Sequence, residues 1–306
     1  MCCFAQPVLS VTDTNLFARL TETGTQFLAY QMKFSSKQQN AMILPLPVEN
    51  PSAEDGVRFI SLKKYKDFFK DLNNGFPYKE PPGVNRFAAR ESRFVDQKLV
   101  VHDIGDFIAS FVPTINDFSR LDSQFVIPKE SWNKISGYSD FGFAVFQLKK
   151  LSGTTHPMAM EFKTRHKDEI FFPTVHIHDG QVHKREKFDH TLYLQSKEFD
   201  ERVGQYRNRH LTDSNTGFVR SKNRANRFCK VEKSSGLITG EQLVHRIEMK
   251  GVFQNKDVVA SLSGGPFKFS GLSFGKYWPM LPFASCVAGL AWIFNRREEL
   301  QLKNKT

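Results

Sequence analysis

Four of the chain's nine histidines, His176, His178, His183 and His190, fall within one β-patterned stretch, FFPTVHIHDGQVHKREKFDHTLY at 171–193. Asp179-Gly180 sits in the middle of it, a pair suited to a two-residue hairpin turn that needs positive φ. With those two residues as the loop, His176 pairs with His183 and Ile177 with Val182. Paired residues share a face, and so do residues two apart. The pattern therefore predicts His176, His178 and His183 on one face of a hairpin, and Val175, Ile177 and Val182 on the other.

Imidazoles grouped on one strand face suit zinc or another borderline metal. Cross-strand neighbours lie about 5 Å apart, so His176 and His183 could share an ion that His178 reaches diagonally. Asp179, Asp189 and His190 stand near in sequence as a fourth ligand or a second layer of support. No established zinc spacing is present, and a solvated polar strand face carries histidines without any duty. That plainer reading is the preferred one, with zinc at His176, His178 and His183 as the alternative.

Strand-like patterning runs through much of the rest. Asn15–Leu20 and Gln26–Phe34 read as a hairpin around Thr21 to Gly24. AMILPLPV at 41–48 reads as a buried strand that Pro45 and Pro47 confine to an edge or to a segment leaving the sheet. Leu62, Tyr65, Phe68, Phe69 and Leu72 fall at helical spacing between lysines, with Ser61 as a cap and Asn74-Gly75 as a stop. Residues 76–93 form a Pro-rich connection. Strands are expected at Phe94–Val101, Phe107–Val112, Phe141–Leu148 and Pro157–Phe162, and short helices at 113–121 and 128–136. Leu243–Phe253 alternates with His245 on its apolar side, where a hydrogen-bonded core histidine is expected, and Asp257–Leu262 is expected to pair with it. The thirty phenylalanines are scattered through these runs, which fits core filling by large flat side chains. The fold class expected is β-rich α+β: antiparallel sheets, a few short helices and an apolar C-terminal helix.

The expected boundaries are a globular domain over 1–262, a Gly/Ser-rich linker over 263–276, an apolar helix over 277–297 and a polar tail over 298–306. Tyr277–Phe294 carries no charge, and Trp278 and Trp292 lie near its ends as interfacial aromatics do. It is read as a membrane anchor, with a buried core helix as the competing reading because Pro279 and Pro282 shorten it.

The net charge of +11 is local. Nine Lys/Arg against two acids fall between Arg202 and Lys233. Arginines interleaved with Tyr206, Phe218 and Phe228 resemble a single-stranded nucleic-acid surface. A solvated segment, or one facing anionic lipid, is the preferred reading. The cysteines, Cys2, Cys3, Cys229 and Cys286, show no disulfide pattern, and MCCFAQPVLSV has neither a basic n-region nor a long apolar h-region. A reducing, cytoplasmic setting is expected, with membrane attachment through the C-terminal helix. No phosphate loop, GxSxG elbow, HExxH or paired-carboxylate motif occurs.

MCCFAQPV (1–8), AMILPLPV (41–48), the Trp132 to Leu148 segment ending YSDFGFAVFQL, HPMAMEF (156–162) and FFPTVHIHDGQVH (171–183) together resemble a family of uncharacterised bacterial proteins. The resemblance covers roughly the first 200 residues. It implies a bacterial source and no catalytic residues. The function expected from the residues is a non-enzymatic binding or structural domain. The alternative is a metal-dependent enzyme using the histidine hairpin.

Overall fold

Strand β1 (Cys2–Phe4) leads to the long hairpin of β2 (Ser10–Leu20) and β3 (Thr25–Ser35), as the alternation around Thr21 to Gly24 predicts. Next come β4 (Asn40–Leu46), β5 (Val57–Ser61), helix α1 (Phe68–Asn74), β6 (His102–Ile104), β7 (Phe107–Val112) and β8 (Gly142–Leu148). The chain continues through β9 (Ser152–Thr154), β10 (Met158–Lys163), β11 (Glu169–Phe172), β12 (His176–Ile177), β13 (Arg185–Gln195) and helix α2 (Lys197–Val203). It ends with β14 (Val219–Arg220), β15 (His245–Gln254), β16 (Val258–Ser261), β17 (Lys268–Phe269) and β18 (Leu272–Ser273). This computed structural model describes residues 2–76, 102–127, 131–132, 137–203, 212–213, 216–264, 268–269 and 272–273.

The strands form three sheets. A six-stranded sheet runs β12-β1-β4-β8-β7-β6. An eight-stranded sheet runs β14-β15-β13-β2-β3-β10-β5, with β9 also on β3. A four-stranded sheet runs β11-β16-β17-β18. Pairing is antiparallel except for β1 with β12 and β2 with β13. The β-rich class with few short helices is therefore what the chain adopts.

Strand alternation gives the eight-stranded sheet two buried faces. On one, Leu16, Leu28, Tyr30, Met158, Met160 and Leu192 enter the main core. On the other, Phe17, Ala29, Ala159 and Tyr193 meet a smaller core closed by Phe68, Phe69 and Leu72 of α1 and by Ala225, Leu237 and Ile238. A side chain the size of Phe gains about 1.5–3 kcal/mol on full burial, so the second layer is a strong constraint on where α1 lies.

Several expectations are corrected. β4 is wholly buried and central between β1 and β8, not an edge. Pro45 is tolerated there because β1 pairs only with Met42 and Ile43, while Pro45 faces Phe143 of β8. The helix expected from Leu62 starts only at Phe68; Leu62 and Tyr65 are buried from turns instead. The strands between 140 and 195 are divided among all three sheets. β16 pairs with β11 rather than folding back on β15, because Asn255 and Asp257 are drawn inward to hold the backbone at 174–176. Phe94–Val101 and the apolar helix at 277–297 lie outside the described residues, as does the tail at 298–306. β17 and β18 fall inside the 263–276 stretch expected as linker, where they extend the four-stranded sheet. Residues up to Ser273 form one compact unit. No helix among the described residues is long and apolar enough to cross a membrane.

Candidate functional site: a buried histidine nest

The loop between β11 and β12 has no strand partner for its first residues, and two side chains supply one. The Asp257 carboxylate accepts the backbone N–H groups of Thr174 at 2.7 Å and Val175 at 3.0 Å. Its other oxygen accepts the Tyr138 hydroxyl. Asn255 accepts from His176 N at 2.7 Å and donates to the carbonyls of His176 at 2.9 Å and His183 at 3.0 Å. β12 then adds in parallel to β1, with Cys2 opposite His176 and Cys3 opposite Ile177. The His178 carbonyl accepts Val8 N at 2.9 Å.

These contacts replace the predicted hairpin. Asp179-Gly180 does turn the chain: Gly180 has φ +79, and Asp179 Oδ1 accepts Gln181 N at 3.0 Å. But β12 does not pair with the strand beyond the turn. That strand, β13, lies between β15 and β2 instead. The backbones of His176 and His183 are held to one Asn255, yet their rings part: His176 is 1% exposed and the His183 side chain 46%. The expected common face for His176, His178 and His183 is thus corrected. The long antiparallel ladder with β15 wins β13, and a two-residue turn signal does not outweigh it.

His190 takes the place expected of His183. The His176 ring stacks on His178 and on His190, each at 4.8 Å between centroids, and on Phe188 at 4.4 Å. His176 Nε2 and His190 Nε2 are 3.2 Å apart, one donating to the other. Phe4 of β1 meets the edge of His178. Burial holds all three imidazoles below their usual pKa, His178 at about 4, so they are neutral at pH 7. Asp179 opposes that lowering at His178. His183 is raised by its hydrogen bond to Asp179.

His176 Nδ1, His178 Nε2 and His190 Nδ1 are buried without a protein hydrogen-bond partner. Such atoms ask for an explanation, since an unmet buried polar group costs about 1–3 kcal/mol. No group of three or more His, Cys, Asp or Glu among the described residues is placed to hold a metal ion.

Two other histidines with carboxylate neighbours, His245 and His156, sit where the carboxylate also braces backbone. His245 is buried, as its apolar strand face predicts, with Nε2 2.7 Å from Asp200, which also accepts Leu243 N. Burial lowers its pKa against that carboxylate. His156 contacts Asp106 at 3.1 Å and stacks on Phe107, while Lys150 takes the other Asp106 oxygen at 2.8 Å. A cleft of about 250 Å3, lined by Ile115, Phe118, Val126, Ile127 and Trp132, shares no residue with the nest. Sequence reasoning misses Asn255, Asp257 and Tyr138.

No family model matches the chain, and no curated protein matches it. Among solved structures it is similar to the crystal structure of baculovirus P35, at 13% identity over 85% of this chain and 99% of that one, with a TM-score of 0.46. It is also similar to a chain of the crystal structure of the caspase-8/P35 complex (13%, 82% and 96%, TM-score 0.42). A mutated baculovirus P35 after caspase cleavage matches at 14% over 81% and 99%, TM-score 0.43. Likenesses this remote carry no argument about function.

Proposed function

We propose that the chain is a non-enzymatic binding domain that works at a membrane surface. The observation that carries the first half is the closure of the nest. In the densest group of imidazoles, beside β1, His176 and His190 are 1% and 2% exposed and packed ring on ring with the half-buried His178, all three neutral. The carboxylates beside His156 and His245, Asp106 and Asp200, are also occupied with backbone N–H groups. Tyr277–Phe294, free of charge, supports attachment through an apolar helix on the cytoplasmic side. The test compares the full chain with one ending at Ser273, the end of the compact unit. The full chain is expected to sediment with membranes and resist carbonate extraction, and the shorter one to stay soluble and folded. A freely soluble full chain, with an unfolded truncation, would overturn attachment.

The unpartnered buried nitrogens favour a second reading, a zinc-dependent enzyme that draws on His176 and His178. His183, exposed and bound to Asp179, would have to swing inward to join them, whereas His190 is already there. Metal analysis of the purified full chain decides between the two. The binding domain is expected to hold well under one zinc per chain. One zinc per chain, lost in His176→Ala, would replace it with the enzyme.

A further inference from the structure

Two lysine-rich segments far apart in sequence share one layer of the fold. Residues 61–76 and 221–241 together close the smaller core over the outer face of the eight-stranded sheet. They touch directly: Lys222 N donates to Gly75 O at 2.9 Å, Lys230 N to the Tyr65 hydroxyl at 2.8 Å, and the Phe228 ring lies against Gly75. Apolar side chains of both segments point to the sheet, which leaves their charges outside. Lys63, Lys64, Lys66 and Lys70 are all exposed. So are Lys222, Arg227 and Lys233 from the second segment. Among the described residues none of these seven has an acidic partner; Arg224 pairs with Glu241 and Lys230 with Asp71. The layer carries nine cations against four acids, a net +5 of the chain's +11.

We infer that this face is an electrostatic docking surface for anionic phospholipid headgroups; the inference rests on the membrane-surface reading and names the face that meets the lipid. Charge complementarity selects an anionic partner, and the kind of cation selects among anions. Six of the seven unpartnered cations are lysines, point charges that a diffuse field of headgroups satisfies without a fixed geometry. Base recognition on a single strand needs exposed rings to stack on. Here Tyr65, Phe68, Phe69 and Phe76 are turned inward, and the half-buried Phe228 ring is packed against Gly75.

The test uses the full chain with phosphatidylcholine vesicles, alone or carrying about a third phosphatidylserine. Preferential sedimentation with the anionic vesicles, falling as salt rises, is expected. Lys63→Gln, Lys64→Gln and Lys66→Gln combined should weaken it about a hundredfold, at roughly fivefold per lysine, with thermal unfolding unchanged. A matched triple on another surface, Lys167→Gln, Lys184→Gln and Lys187→Gln, should leave it within about twofold if the effect is local. Equal losses in both triples would overturn the face and leave only net charge. Equal binding to neutral and anionic vesicles would overturn it while leaving membrane attachment standing. Failure to bind either vesicle would sink both readings, and salt-sensitive binding of DNA or RNA in its place would give the face to nucleic acid.

Discussion

His176 Nε2 and His190 Nε2 stand 3.2 Å apart in a site where neither ring can take a charge cheaply. A pH dependence of stability results from that pair. The folded pKa values of His176, His178 and His190 lie below the unfolded value, so below pH 6.5 the unfolded chain binds more protons. The sign is fixed: stability is level above that pH with respect to these groups and falls as pH drops, for His178 until about pH 4. Each site adds at most about 1.4 kcal/mol per pH unit to the slope. Urea unfolding at a series of pH values should show this loss, and His190→Leu should make it shallower. A slope unchanged in that variant would mean the nest is not what titrates.

Asn255→Ala should be among the most damaging single changes. It removes one acceptor and two donors from the backbone of His176 and His183 at once. With each buried unmet group costing about 1–3 kcal/mol, a loss of roughly 3–5 kcal/mol is expected. Denaturant midpoints measure it. Asn255→Asp keeps the acceptor for His176 N and loses both donors, so it should also destabilise. A loss below about 1 kcal/mol for the alanine variant would show that water replaces the side chain.

Gly105→Ala tests the packing of His156. Gly105 has φ +66, and an added Cβ would lie 2.7 Å from the imidazole Cε1. Backbone strain and overpacking act in the same direction, for a cost of about 1–3 kcal/mol. Thermal unfolding should register a clear drop. Gly24→Ala, also at positive φ but with open space around its Cβ, isolates the backbone contribution.

Local patterns are legible in the sequence, and the partners of each pattern are not. The alternation of Leu16–Ala18 against Leu28–Tyr30 marks a hairpin because a short turn leaves the chain no other pairing. The alternation of β13 marks a strand equally well, yet its neighbours β15 and β2 come from more than 50 and 170 residues away. Period-two patterning says which side chains share a face and nothing about which strand lies beside them. That is why the pattern groups His176 with His178 and puts His183 where His190 belongs. The Asn255 and Asp257 clamps are invisible for a related reason. Side chains standing in for a missing strand have no periodicity. The basic layer is half legible: the 202–233 run stands out, but Arg202 and Arg220 are largely withdrawn into the fold, and the lysines before α1 complete the layer only in three dimensions.

The last prediction concerns Cys229. Its thiol lies in the smaller core, 7% exposed, and burial pushes its pKa up to about 12, with the nearby Asp71 carboxylate acting in the same direction. The thiolate is the reactive form, so at pH 8 almost none is present, and the reagent has little access in any case. Maleimide labelling of the native protein, read peptide by peptide by mass spectrometry, should leave the Cys229 peptide unmodified for as long as the fold persists. Labelling should appear with the same urea midpoint as global unfolding, because the thiol is covered by α1 and the 221–241 segment together. Modification at urea concentrations well below that midpoint would show that this layer opens by itself. The layer would then be a separable unit, and the charges it carries would not stay gathered on one face of the folded chain.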